Sequence, residues 1–576
     1  MKTKSKGIFF NLLSLFLSIC LILPVAGCKE QEEDPPPEQL QVQNLEKLCK
    51  VWGYVKYTHP VFLLGEKDWD DELLKLIPEV RKCSDTEKVN KLLHDWFVGL
   101  GKIDYGTNIR VPIWAWSKDE DKIVQADTAW ISDTSYIGEK LSADLLQLTV
   151  IPNVNRTKAP VKFTHQINTT LADFSNEKAY ADMDYSDTSY RMLGLFRLWN
   201  AMEYYFPYLD ILDEDWNQQL SRYIPKIMAG SDKKSYQLTI AAIAAKLQDP
   251  HVSIEQYETL AGGYSAPIVL REAEGKIVVA VILDDSCPLK PGDIILEIDG
   301  RNVEDKIKEL KEYISISSDD KLEVKLLPYL IRSTQPTAMF TMLRDGKEEQ
   351  ILVKGQNTYN LYYSNSKVPL SHERLDGNIG LINPGGLKCA EISSIMEEFK
   401  DTNGLIIDLR QYPLDRLNGM GYRLLPYFTQ KITPFVTSSK ASEAVPGTFI
   451  KYNDMASLLT YYEKYRDYQY DKKVVVLMDE HSASLSEYTI MCLRTGDNVI
   501  VMGEESIGTD GDVTYLPLPG NVSMSFTGLG FYTPEGGQTQ RIGLSPDIRV
   551  EPTIQGIKDG RDELKEAAIK YLKENK

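Results

Sequence analysis

The sequence predicts a multidomain α/β protein built from a duplicated helical N-terminal region, a β-rich module and a layered α/β domain. Three observations predict it. A helical pattern repeats at an offset of 147 residues, an alternating strand pattern starts at Gly275, and near-continuous apolar runs alternate with helical stretches after Gly377.

The helical region follows an N-terminus of a different kind. Lys2, Lys4 and Lys6 precede an uncharged apolar stretch over 8–23, the pattern of a secretory signal peptide. The stretch ends in Val25-Ala26-Gly27-Cys28, which resembles a bacterial lipobox. The resemblance implies cleavage before Cys28, lipidation of Cys28 and a mature protein tethered to a membrane in the cell envelope. Residues 29–37, KEQEEDPPP, cannot bury a core and read as a linker over 28–41, so folding is expected to begin near Val42. Beyond the anchor no apolar run reaches the roughly 20 residues of a membrane span.

The balance of 65 Lys plus Arg against 83 Asp plus Glu gives a net charge of −18, which argues against nucleic acid as a partner. Cys49, Cys83, Cys287, Cys389 and Cys492 are scattered without a CxxC pair, neither a disulfide framework nor a zinc site. With no HExxH among the six histidines, neither a catalytic metal nor a cofactor is expected.

In the repeat, Trp52, Pro60, Asp68, Trp69, Ile77 and Pro78 return as Trp199, Pro207, Asp215, Trp216, Ile224 and Pro225. Two copies of a helical unit are predicted over 42–103 and 188–261, joined by a β-rich connector over 104–187 in which segments such as 108–113 alternate. Only the second copy ends in a histidine, in Gln248-Asp249-Pro250-His251.

Over 262–356 the pattern is that of strands and tight turns, with Leu289-Lys290-Pro291-Gly292-Asp293-Ile294-Ile295-Leu296-Glu297-Ile298-Asp299-Gly300 at its centre. This stretch resembles the LxPGDxIxxIDG segment of protease-associated PDZ domains. In that family an extended peptide adds as a strand to an open sheet edge. Residues 313–345 exceed what a compact PDZ fold needs.

Over 357–557 the apolar runs Ile379-Gly380-Leu381-Ile382, Leu405-Ile406-Ile407, Val474-Val475-Val476-Leu477-Met478 and Val499-Ile500-Val501-Met502 predict strands covered on both faces, with chemistry at their carboxyl ends. A C-terminal helix is predicted over 558–576. One strand end is His481-Ser482-Ala483-Ser484-Leu485-Ser486-Glu487. A serine in the first turn of a helix meets unpaired amides and the positive end of the dipole, which favour a developing oxyanion, although serines there are commonly caps.

Several motifs together identify a family. HSASLSE resembles the SASASE box of C-terminal processing (tail-specific) peptidases, whose middle serine is the nucleophile, here Ser484. Asp408-Leu409-Arg410 is similar to the family's DLR, Gly503-Glu504 to its GE, and Gly543-Leu544-Ser545-Pro546-Asp547-Ile548 to its GxxPDI. The resemblance covers roughly 250–576 and implies a crotonase-like α/β serine peptidase domain. Two departures matter. The family's lysine base, 25 residues after the serine, is Thr509, and the glycines of its DLRxNPGG turn are absent from Asp408-Leu409-Arg410-Gln411-Tyr412-Pro413-Leu414-Asp415. Asn383-Pro384-Gly385-Gly386 follows an earlier strand and reads as a loop.

A serine needs a base within hydrogen-bond reach. The tricorn-like branch of the superfamily uses histidine, and Leu247-Gln248-Asp249-Pro250-His251 resembles its LxDxH form, which implies His251 as the base. Gln540 and Asp510 are both candidates to orient it. The resemblance places the oxyanion hole at the amide of Leu485 and a backbone amide of the 412–415 turn, with Leu414 as the candidate. The expected function is an envelope serine endopeptidase acting on peptides or unfolded protein tails. Two rivals are a catalytically inactive peptide- or lipid-binding lipoprotein on the same fold, and an envelope scaffold that works through its helical repeats.

Overall fold

The structure, a computed structural model, describes residues 37–575 apart from 107–117, 119–120, 149, 167–168, 256–260, 359–367, 416–418, 454–458 and 460–467. The signal peptide, the lipobox with Cys28, most of the linker and the 108–113 segment therefore lie outside the described residues. No helix among the described residues is long and apolar enough to cross a membrane.

The first helical copy comprises α1 (Pro37–Thr58), α2 (Trp69–Lys82) and α3 (Thr86–Gly99). The second comprises α4 (Thr188–Tyr205), α5 (Gln218–Ala229) and α6 (Lys233–Ala245). The same contact recurs in each. Trp52 Nε1 donates to the Trp69 carbonyl at 2.9 Å, and Trp199 Nε1 to the Trp216 carbonyl at 3.0 Å. The copies pack against each other through α1 and α4, where Asn200 Nδ2 donates to the carbonyls of the repeat-equivalent residues Cys49 and Phe196 at 3.1 and 2.9 Å. Gly53, the counterpart of Asn200, makes this crossing possible, since a Cβ there would lie 1.7 Å from Asn200 Oδ1.

Two details differ from the sequence reading. Helix α1 starts at Pro37, inside the predicted linker, because the first helical turn needs no amide from proline. The connector contains helical turns at Thr134–Ile137 and Glu139–Leu145 beside the strands Lys162–Gln166 and Thr169–Asp173. Asp133 starts the first of these turns by accepting from the Ser135 and Tyr136 amides, a local cap that alternation of apolar residues does not reveal.

The β-rich module is a sheet of β1 (Ile268–Ala273), β2 (Lys276–Ile282), β3 (Ile294–Ile298), β4 (Thr337–Arg344) and β5 (Lys347–Lys354) in the order β5-β4-β3-β2-β1, every pair antiparallel. Helix α7 (Val303–Leu310) follows the Asp299-Gly300 turn, where φ is positive at both positions.

The α/β domain is a sheet of β6 (His372–Leu375), β7 (Ile379–Ile382), β8 (Gly404–Asp408), β9 (Val474–Met478), β10 (Val499–Gly503) and β13 (Ile548–Arg549), in that spatial order and parallel from β7 onward. Every residue of β7, β8 and β9 is buried, as strands covered on both faces require. The hairpin of β11 (Val513–Leu518) and β12 (Val522–Thr527) leaves this layer and leans on the helical repeats.

A buried ion network anchors that hairpin. Arg197, with a fully buried side chain, pairs with Asp70 at 2.6 Å and Glu177 at 3.0 Å, while Nη1 donates to the Pro517 carbonyl at 2.8 Å. Removing the cation takes from buried Asp70 its ion-pair partner, while Glu177 keeps Lys56 at 2.5 Å, so Arg197→Ala is expected to cost about 3–5 kcal/mol in urea unfolding. A loss under about 1 kcal/mol would show that the network adds nothing net.

Candidate active site

The turn after β9 is built to expose one side chain. Ser482 Oγ donates to the Leu409 carbonyl at 3.0 Å and Asp479 Oδ1 accepts the His481 amide at 2.9 Å, tying the turn to the end of β8. The chain then bends sharply at Ser484, with φ 53° and ψ −113°, into helix α9 (Leu485–Leu493), α8 being Ile392–Phe399 between β7 and β8. A non-glycine residue held in that region costs about 1–3 kcal/mol and persists where the surroundings over-determine it. Leu485 is the first helical residue, so its amide has no partner within the helix.

What over-determines the bend is Glu487. Its buried carboxylate accepts the Ser484 amide at 3.0 Å, Ser506 Oγ at 2.6 Å, and the Gly508 and Thr509 amides at 2.9 and 3.0 Å. It thereby lashes the 506–509 loop to the start of α9. Burial raises the pKa of Glu487 and raises that of neighbouring Asp510 well above the ordinary carboxylate range. Four donors favour the charge on Glu487, whereas among the described residues Asp510 accepts only the Gly511 amide, so burial pushes Asp510 the more strongly toward its neutral form.

The loop continues into Gly511, whose carbonyl oxygen accepts from Ser484 Oγ at 3.4 Å. Gly511 has φ +124°, and a Cβ there would lie 2.2 Å from the Leu529 carbonyl oxygen and 2.9 Å from Thr527 Cγ2. Only glycine permits this approach.

Thr527 leads to the histidine. Its Oγ1 lies 2.8 Å from His251 Nδ1 and donates to Asp249 Oδ1 at 3.0 Å. The carboxylate only accepts, so the hydroxyl proton points to Asp249 and the hydroxyl oxygen takes Nδ1–H. This fixes the tautomer with the lone pair of His251 on Nε2. The ring keeps 12 % exposure and lies 3.9 Å from Asp249 Oδ1. Burial lowers the His251 pKa, Asp249 opposes that shift and Lys325 reinforces it.

Asp249, fully buried, also accepts the His251 amide at 3.0 Å, Thr509 Oγ1 at 3.2 Å, Gln540 Nε2 at 3.0 Å and the Thr527 amide at 2.8 Å. Gln540 therefore meets the histidine only through Asp249, and Asp510 makes no bond to His251. Sequence reading missed Asp249, Thr527 and Thr509 as partners. Asp249 stood inside the histidine motif, but nothing in the sequence distinguishes Thr527 from other strand threonines.

Two expectations need correction. Ser484 Oγ donates to Gly511 and not to His251, since the bend aims the hydroxyl at that carbonyl. The Leu414 amide is not open to an oxyanion, because it donates to the Pro384 carbonyl at 3.0 Å. Strands β7 and β8 are neighbours, so the 383–386 loop lies against the 411–415 turn and takes this donor. Among the described residues no group of three or more His, Cys, Asp or Glu could hold a metal ion.

Residues 385–550 match the model of peptidase family S41. A carboxy-terminal-processing protease of Bartonella bacilliformis is 29% identical over 201 residues, 34% of this chain, and the chain spans 44% of the length of that curated relative. Among solved structures, mature CPAF complexed with lactacystin aligns with TM-score 0.50 and 15% identity, covering 67% of this chain and 98% of that one. A point mutant of CPAF aligns with TM-score 0.51 and 16% identity over 67% and 97%. At such identities the likeness is one of fold.

Two outcomes test this geometry. Thr527→Val breaks the link between Asp249 and the imidazole and is expected to slow acylation of Ser484 by a p-nitrophenyl ester about 10- to 100-fold, with Thr527→Ser close to the unaltered chain. Equal rates for all three would remove Thr527 from the site. Burial raises the pKa of Asp510 in the folded chain above its unfolded value of about 4, so the stability it lends is whole below that pH and is lost as the pH rises toward its raised native value. Asp510→Asn is therefore expected to be stabilising in urea melts by a margin that grows from pH 5 to pH 8, and a constant margin contradicts the assignment.

Proposed function

We propose, from the premise that residues 385–550 carry a peptidase family S41 domain, that the protein is a serine endopeptidase. Ser484 attacks the substrate carbonyl, His251 Nε2 takes the hydroxyl proton and returns it to the leaving amine, and water hydrolyses the acyl-enzyme. Asp249 acts through Thr527 to hold the imidazole and stabilise its protonated form. The Leu485 amide and the positive end of α9 receive the developing oxyanion. What supports this reading is a serine on a strained strand-to-helix turn whose hydroxyl donates to Gly511, a glycine that lies against Thr527, the residue whose hydroxyl sets the tautomer of His251.

The substrates we propose are peptides or unfolded protein tails in the cell envelope, where Cys28 anchors the chain by lipid, and the sheet over 262–356 is PDZ-like. A binding protein without turnover is the second reading, favoured by the absent Ser484–His251 bond and the occupied Leu414 amide.

Labelling by a fluorophosphonate probe separates the two. The full chain is expected to label, Ser484→Ala to lose labelling, and His251→Ala to slow it by a factor on the order of 10² to 10⁴. Because burial holds the imidazole neutral, the labelling rate is expected to fall on acidification only below the ordinary histidine value of about pH 6.5. Undiminished labelling of Ser484→Ala would falsify the assignment.

A further inference from the structure

Strand β1 is an edge of its sheet, and an edge offers its amides to any extended chain laid beside it. Here the chain's own residues take that place. The Glu272 amide donates to Glu323 Oε1 at 2.7 Å, and the same carboxylate holds Arg271 Nε at 3.0 Å. Just before β1, the Ala266 amide donates to the Ile331 carbonyl at 3.2 Å, and Ser265 and Tyr264 pair with Arg332 and Ser333 in an antiparallel ladder. Between these attachments Leu322, Leu326, Leu327, Leu330 and Ile331 turn inward, none more than 7% exposed, and the short helix Leu327–Leu330 packs on α7 and β1. A peptide could pair with β1 only by breaking these bonds and exposing those side chains to water.

The segment also reaches the catalytic groups. Ser315 Oγ accepts the Asp249 amide at 2.8 Å, Ser317 Oγ donates to the Ile507 carbonyl, the Val324 amide donates to Glu480 Oε1 at 3.1 Å, and Lys325 Nζ donates to the Val252 carbonyl at 3.1 Å. It thus bridges both sides of the site, near His251 and near the turn that carries Ser484.

Resting on the Ser484–His251 reading, we propose that residues 314–331 are an internal strap. It fills the groove at β1 that an incoming tail would need, and through Ser315 it positions Asp249. The module then serves the reaction by steadying the base and does not grip the substrate. Ser315 is a positioning residue, acting on the imidazole through Asp249.

Two measurements on the full chain decide this. In a Ser484→Ala background, Ser265→Cys with Arg332→Cys ties the strap to the strand before β1 across a ladder pair whose spacing suits a disulfide. A fluorescein-labelled peptide ending in Leu-Val with a free carboxylate is expected to bind the oxidised and dithiothreitol-reduced proteins alike, or neither. Binding to the reduced form that is lost on oxidation overturns the filled groove. In the Ser484-containing chain, Ser315→Ala is expected to lower kcat for p-nitrophenyl ester hydrolysis about tenfold and move the acid limb of its pH profile, with KM unchanged and Ser315→Thr restoring both. An unaltered kcat and pH profile in Ser315→Ala overturns the positioning role. Absence of acylation in the unaltered chain overturns the dyad, and the positioning role with it, while the peptide comparison still decides the groove.

Discussion

Burial of the Asp249 carboxylate is the constraint on which the site depends. A charge with no exposure persists only if donors surround it, and here they come from far apart along the chain: its own motif at His251, the loop at Thr509, the hairpin at Thr527 and the turn at Gln540. Each of those segments belongs to a different part of the fold. Satisfying one carboxylate therefore also sets the helical repeat, the hairpin and the C-terminal part of the α/β domain in register around His251.

The hairpin β11–β12 makes that register rigid. Arg197 grips it at Pro517, Tyr236 Oη donates to the Pro519 carbonyl at 3.0 Å, and Ser525 Oγ donates to the His251 carbonyl at 2.7 Å. The duplicated helices thus act as a buttress behind the hairpin and the loop that carries His251. On the other side, Glu487 does the same for the serine by holding the 506–509 loop. Thr509 joins the two arrangements, with its amide on Glu487 and its hydroxyl on Asp249. A lysine at this position would bring a cation into the donor shell of Asp249. Threonine instead supplies a neutral donor.

Much of the architecture was legible in the residues because it rests on local patterns. Runs such as Val474-Val475-Val476-Leu477-Met478 can only be strands buried on both faces, and they occupy the centre of the parallel sheet. The helix after Ser484 was legible for the same reason. Leu414 was not, because whether an amide is free depends on what lies across from it, and the Pro384 carbonyl is thirty residues away in the chain. The start of α1 at Pro37 was obscured by composition, since an acidic, proline-rich run looks alike whether or not its last proline opens a helix.

The sequence by itself determined the layered α/β domain and the helical repeat, because periodicity is a property of neighbours along the chain, and its motifs singled out Ser484 and His251 as candidates. The tertiary structure alone decided the tautomer of His251, the place of Asp249, Thr527 and Thr509 around it, and the filling of the β1 edge by residues 322–331. Those depend on which donors meet which acceptors once distant segments are buried together, and no local pattern encodes that pairing.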